Sequence, residues 1–287
     1  MEDDLQVNAK LTERETQNNE FGNSVAVSGN TIVVGMSLAN VAYVFAKPTG
    51  GWKGVLNETA ALTSLGGGAR DLFGSSVAIS GDTVVVGAPD ARCCGIFGTD
   101  FMVGEAYVFV KPASGWIDMT ETARLVASDG HEYDVLGLSV AVSGNTVVAG
   151  APKAVVQGST DGPGIAYVFA KPANGWPADM EQTAELTASD GVSGDFLGRS
   201  VSISGKTIVA GAPYAGSNVQ GAAYLFVEPK SGWSNMHETA KLSVSNGAAG
   251  DNFGQSVGVS GKTVVGGAPY ASVTYSRQGA AYVFGQH

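Results

Sequence analysis

Polar and apolar positions fall into short strand-length blocks that return along the chain with nearly the same spelling. Ser76-Val-Ala-Ile79 alternates small with β-branched residues, and Thr83-Val-Val-Val86 is a continuous β-branched run. A run of that kind marks a strand covered on both faces. The block from Phe73 to Pro89 recurs with small changes from Phe21, Leu136, Leu197 and Phe253. Each copy leads through a variable stretch to Ala-Tyr-Val-Phe (from Ala42, Ala106, Ala166 and Ala281) or Ala-Tyr-Leu-Phe (from Ala223). A Pro-x-x-Gly-Trp turn follows, ending at Trp52, Trp116, Trp176 and Trp233, so the spacings are 64, 60 and 57 residues. The closing piece, as in Glu121-Thr-Ala-Arg-Leu125, mixes charge with Ala and Leu and therefore has one wet side. No apolar period of 3.6 residues is sustained, which predicts almost no helix.

Four strands per unit, A to D, run from a buried inner strand to a wet outer one. Small antiparallel sheets of that kind, repeated along a chain, stack as the blades of a β-propeller. A sandwich would leave one solvated face along most strands. The expected fold is all-β: one domain, residues 1–287, a five-bladed β-propeller of four-stranded antiparallel blades. The blades are expected at about 19–63, 71–126, 134–188, 195–244 and 251–285, the last completed by residues 4–12. That completion follows from alignment. The fifth unit stops at Phe284-Gly-Gln-His287 with no strand D, while Asp4-Leu-Gln-Val-Asn-Ala-Lys-Leu11 matches Asn235-Met-His-Glu-Thr-Ala-Lys-Leu242. The N-terminal strand is expected to pair in the last blade and close the ring, covering an open edge.

Composition narrows the partners. Gly is 41 of 287 residues, about twice the usual share, as many tight turns require. The net charge of −10 argues against nucleic acid, whose phosphates call for clustered Lys and Arg. No apolar stretch approaches the length of a membrane span, so membrane insertion is not expected. Met-Glu-Asp-Asp-Leu at the start is the reverse of a basic signal-peptide n-region.

The paired signatures Phe-Gly (21–22, 73–74, 253–254; Leu-Gly at 136–137 and 197–198) and Gly-Ala-Pro (87–89, 150–152, 211–213, 267–269) resemble FG-GAP repeats, the blades of integrin α-subunit propellers. The resemblance covers nearly the whole chain and implies an extracellular or cell-surface protein. It departs in two respects. Integrin propellers have seven units and several carry an Asp-rich calcium loop between strands A and B, whereas that loop here is only Ser-Gly-x-Thr (28–31, 80–83, 143–146, 204–207, 260–263). The first unit reads Gly35-Met-Ser in place of Gly-Ala-Pro, which predicts an irregular connection.

Alternating strand direction puts the A–B and C–D connections on one face and the B–C and D–A connections on the other. The first face is monotonous. The B–C connections (about 36–41, 90–104, 153–164, 214–220 and 270–278) differ between units, and residues freed from the shared folding constraint are where binding is sought. The candidate ligand-binding residues are Arg92, Phe97, Asp100, Phe101, His131, Tyr133, Tyr214, Asn218, Tyr270, Tyr275 and Arg277. Aromatic rings beside amides and charges stack on sugars or anchor a protein; the same rings can instead pack their own loops.

Asp71, Asp134, Asp195 and Asp251, with Asn19 in the first copy, precede each Phe/Leu-Gly glycine by three residues. A ring of carboxylates would take calcium, which prefers six to eight oxygen ligands. The alternative is a turn role, since Asn and Asp both accept a backbone N–H bond. Adjacent Cys93 and Cys94 form either a vicinal disulfide or two thiols, and no Cys-x-x-Cys zinc spacing exists. His131, His237 and His287 make no triad; Glu132 beside Asp134, with Arg199 and Gln255, is the best catalytic set that can be assembled. The leading expectation is therefore a non-catalytic extracellular recognition module, binding glycan or protein through the B–C/D–A face. Alternatives are a self-assembling unit of a surface layer, sheath or filament, in which copies of the chain are the partner, and a glycoside-cleaving enzyme.

Overall fold

The computed structural model describes residues 7–13, 20–68, 70–94, 100–155 and 162–285, with residues 93, 94, 100 and 101 described by their backbone alone. The molecule is all-β. In chain order the strands are β1 (Ala9–Thr12), β2 (Ser24–Ser28), β3 (Thr31–Met36), β4 (Val41–Ala46), β5 (Gly54–Asn57) and β6 (Ala60–Thr63). Then come β7 (Ser76–Ser80), β8 (Thr83–Ala88), β9 (Arg92–Cys94), β10 (Asp100–Met102), β11 (Glu105–Val110), β12 (Met119–Thr120) and β13 (Ala123–Val126). The next unit holds β14 (Ser139–Ser143), β15 (Thr146–Ala151), β16 (Ile165–Ala170), β17 (Asp179–Glu181) and β18 (Ala184–Thr187). The remainder are β19 (Ser200–Ser204), β20 (Thr207–Ala212), β21 (Ala222–Val227), β22 (Met236–His237), β23 (Ala240–Leu242), β24 (Ser256–Ser260), β25 (Thr263–Ala268) and β26 (Ala280–Gly285). Among the described residues the one helical element is a 3-10 turn, Ser37–Ala39, at the irregular connection of the first unit.

Antiparallel pairing in order builds unit 1 from β2-β3-β4-β6, unit 2 from β7-β8-β11-β13, unit 3 from β14-β15-β16-β18 and unit 4 from β19-β20-β21-β23. Unit 5 has β24-β25-β26. Sheets 1 to 3 each gain a fifth strand from the unit that follows: β12 lies parallel on β6, β17 on β13 and β22 on β18. The first strands β2, β7, β14, β19 and β24 lie side by side in that order.

Pleating sends alternate residues of each strand to opposite faces, so every interior sheet is buried twice. On β11, Tyr107 and Phe109 face back into the core shared with Val33, Val44 and Leu62 of unit 1. Ala106 and Val108 face forward into the core shared with Val147 and Tyr167 of unit 3. Phe73 of the Phe-Gly pair wedges against Tyr107 and Phe109, at ring-centroid distances of 5.4 and 6.0 Å. Phe253 repeats the wedge against Tyr282 and Phe284. Leu136 and Leu197 are fully buried in the corresponding cores.

The junction between units is the same four times over. The first serine of strand A donates to the carbonyl of the next unit's Phe/Leu-Gly glycine: Ser24 to Gly74, Ser76 to Gly137, Ser139 to Gly198 and Ser200 to Gly254, at 2.7–2.9 Å. The serine of each A–B turn accepts from the glycine N–H of the next A–B turn: Ser28 from Gly81, Ser80 from Gly144, Ser143 from Gly205 and Ser204 from Gly261. These bonds are made where carbonyl and strand B nearly touch. A Cβ on Gly35, Gly87, Gly150 or Gly211 would overlap the carbonyl oxygen of Gly74, Gly137, Gly198 or Gly254.

The ends depart from the expected ring. β1 pairs in parallel with β5, Leu11 opposite Leu56, and not with β26. Unit 5 is left with three strands among the described residues. The reason lies in what an outer strand does at the first three junctions: it pairs with the short strand of the unit after it, as β6 does with β12. β1 keeps that relation to unit 1, while pairing with β26 would require units 5 and 1 to adjoin.

Candidate functional site

Hydrogen bonds sort the connections onto two faces. Each C–D connection starts on the A–B turn of its own unit, Lys47 N–H on Asn30, Lys111 on Asp82, Lys171 on Asn145 and Glu228 on Lys206, all at 2.8 Å. On the opposite face each D–A loop is tied to B–C connections. Tyr133 N–H donates to Met102 and Leu136 N–H to Val103, while Gly250 N–H donates to Asn218.

The four aspartates are the pivots of that face. Asp71, Asp134, Asp195 and Asp251 are 2–7% exposed. Each carboxylate accepts the N–H three residues back, from Gly68, His131, Val192 and Ala248, at 2.6–2.9 Å. Each backbone carbonyl accepts from the B–C connection of its own unit, at Asp90, Lys153, Tyr214 and Tyr270. Burial pushes the Asp134 carboxyl up to about 6, against the partial relief of the His131 N–H bond and the nearby imidazole. Burial raises Asp71 and Asp195 as well. Among the described residues no three His, Cys, Asp or Glu side chains converge to hold a metal. Each of the four candidate carboxylates is thus engaged in a turn of its own.

Beside Asp134 a cleft of about 350 Å³ opens, walled by Glu132, Tyr133, Lys153, Val155, Ser193 and Phe196. Three segments build it: the D–A loops entering units 3 and 4 and the B–C connection of unit 3. Its size lies in the range of small-ligand sites. Phe196 continues outward, its ring edge-on to Tyr214 at 5.2 Å, so Tyr133, the cleft, Phe196 and Tyr214 form one run.

Tyr133 is 53% exposed and has φ +71°. Gly194 and Gly250 occupy the same place before their aspartates, with φ +84° and +78°. A left-handed conformation suits glycine and costs an L-residue about 1–2 kcal/mol. A tyrosine held there at a cleft rim is strain of the sort that collects at functional sites.

The other candidates do not wall the cleft. In unit 5, Arg277 stacks on Tyr270 at 5.7 Å. Gln278 accepts from the N–H groups of Thr274 and Tyr275, and Ser272 from that of Arg277, so this loop is held by its own side chains. His131, Asn218 and Tyr275 are exposed. Arg92 is exposed on β9, which pairs with β10. Phe97 lies outside the described residues, as do the side chains of Cys93, Cys94, Asp100 and Phe101. Of the assembled catalytic set, Glu132 and Asp134 reach the cleft, while Arg199 and Gln255 are not among its walls. Sequence reasoning missed Phe196, Lys153 and Ser193. Phe196 had a signal, since the residue before each Phe/Leu-Gly pair is Glu20, Leu72, Val135, Phe196 or Asn252, a position free to vary.

The FG-GAP repeat family model matches residues 56–109, 119–169, 180–226 and 236–284. No curated protein matches. Among solved structures, the computationally designed Ika4 protein aligns over 77% of this chain and 98% of its own, at 16% identity and a TM-score of 0.39.

Proposed function

The chain belongs to the FG-GAP repeat family, and from that premise we propose that it is a recognition module whose B–C/D–A face binds a glycan or protein ligand, with a sugar in the unit 3 cleft. FG-GAP repeats are typical of extracellular proteins and are generally non-catalytic, and no helix among the described residues is long and apolar enough to cross a membrane. The observation that carries the reading is Tyr133, strained at the rim of a cleft whose far wall is Phe196. Two aromatic walls supply apolar faces for a pyranose ring, and Glu132, Lys153 and Ser193 supply the few polar groups that orient a bound ligand.

A glycan array followed by calorimetric titration of the hits tests this. A saturable hit, lost in Tyr133→Ala and Phe196→Ala, supports it. Absence of any hit, or binding indifferent to both substitutions, counts against it. Released sugar on incubation with polysaccharides would replace it with the glycoside-cleaving alternative.

A further inference from the structure

The two ends of the array are the separated halves of a fifth junction. Apart from strand D, unit 5 carries the features that units 1 to 4 offer to their successors, without an occupant among the described residues. Val265 and Val283 stand where Val33 and Val44 stand in unit 1. Val33 and Val44 are 0% exposed, whereas Val265 and Val283 are 38% and 69% exposed. Gly267 matches Gly35, Gly87, Gly150 and Gly211, yet a Cβ there would meet only its own Ser256. Ser256 and Ser260 hold the places of the junction serines Ser200 and Ser204, with no following glycine bonded to them among the described residues. At the unit 4–5 junction a groove of about 390 Å³, lined by Leu225, Ala240 and Leu242 of unit 4 and by Val264 and Phe284 of unit 5, lies where the unit 1–2 core holds Met119.

Unit 1 carries the opposite half. Val25 and Val27 are 67% and 69% exposed, where Val77 and Ile79 of unit 2 are packed against unit 1. β1 already lies in front of unit 1, as β6 lies in front of unit 2, with one edge on β5 and the other without a strand partner among the described residues.

We infer that this face is an interface between copies of the chain: unit 5 of one copy docks on unit 1 of a second, and β26 of the first pairs antiparallel with β1 of the second. The register follows from β21 and β23, where Ala223, Tyr224 and Leu225 face Leu242, Lys241 and Ala240. It sets Ala281, Tyr282 and Val283 opposite Leu11, Lys10 and Ala9 of the second copy. The partner is a second copy because the two halves interlock by an interface the chain already makes four times, and because within one chain both halves stand open together. Such a contact is heterologous: it closes into a ring of copies or propagates as a filament, according to the rotation per copy. The inference is independent of the loop-face reading.

The test is light scattering on the full chain after size exclusion, with Val27→Glu and Val283→Glu, each on a surface exposed in the single chain. The wild type is expected to grow with concentration beyond a monomer. Each variant retains one sound end and one charged end, so each alone is expected to be monomeric. Mixed one to one, they are expected to form a dimer and stop there. A wild type that is monomeric across the accessible concentration range overturns the inference, whether its ends meet each other or nothing. So does an oligomer that either variant leaves intact, or one that mixing fails to restore, since the interface would then be another or would join like ends.

Discussion

Tyr107 illustrates how one copy of a repeat replaces a lost partner. The equivalent hydroxyls of Tyr167 and Tyr224 donate to Asp129 and Asp190, at 3.1 and 2.9 Å, in the Ser-Asp-Gly segment of the preceding unit. Unit 1 has Gly66 in that place, with no side chain to accept the bond, and Tyr107 donates instead to Glu105 at 2.5 Å. Glu105 is 2% exposed and has Arg124 at 3.4 Å; burial pushes its carboxyl up. Removing it strands a buried hydroxyl, so Glu105→Ala is expected to cost about 1–3 kcal/mol by chemical denaturation. Asp134 gives a pH prediction. Its folded pKa, about 6, lies above the ordinary aspartate value of 3.8. The native state therefore holds more protons across that window, and this contribution is full below about pH 4 and lost as pH rises through 6. Asp134→Asn keeps an acceptor for His131 N–H and removes the buried charge. It is expected to be more stable than wild type at pH 7 by about 1–3 kcal/mol, with a flatter stability profile between pH 4 and 6; an unchanged profile would contradict this.

At the scale of elements, the junction glycines separate two roles for one residue type. Gly87→Ala sets a Cβ against the Gly137 carbonyl and must part units 2 and 3, whereas Gly267→Ala meets only the movable hydroxyl of Ser256. Thermal unfolding is expected to fall for Gly87→Ala by the several degrees that about 2 kcal/mol or more implies, and to change little for Gly267→Ala. Equal losses would show that glycine serves the strand rather than the junction. Strands A to C were legible because each is a β-branched or small-residue run, although in the interior units only B and C are buried on both faces and A is half-buried. The short parallel strands β12, β17 and β22 were not, because two or three residues such as Met119-Thr120 are a strand only when another unit supplies the edge. The site was half legible. Tyr133 stands out by its residue type in the D–A loop, while Lys153 and Ser193 reach the cleft only through the pivot aspartates' loop geometry, for which their own letters carry no sign.

For the whole molecule, the sorting of loops into a plain and a varied face does not depend on a closed ring, since it follows from strand direction inside each unit and from the bonds tying Lys111 to the A–B turn and Tyr133 to Met102. Closure was beyond the reach of alignment. The match of residues 4–11 to 235–242 identifies an outer strand and is silent on which chain's strand C it meets. The claim on which the functional reading turns is that ligand is held on the varied face at the unit 3 cleft. Its most direct test is titration of one array hit against three proteins: wild type, Tyr133→Ala, and Lys111→Ala on the plain face. Loss of one stacked aromatic is expected to weaken binding by roughly tenfold or more, with Lys111→Ala equal to wild type; weakening by Lys111→Ala with Tyr133→Ala unaffected would contradict it.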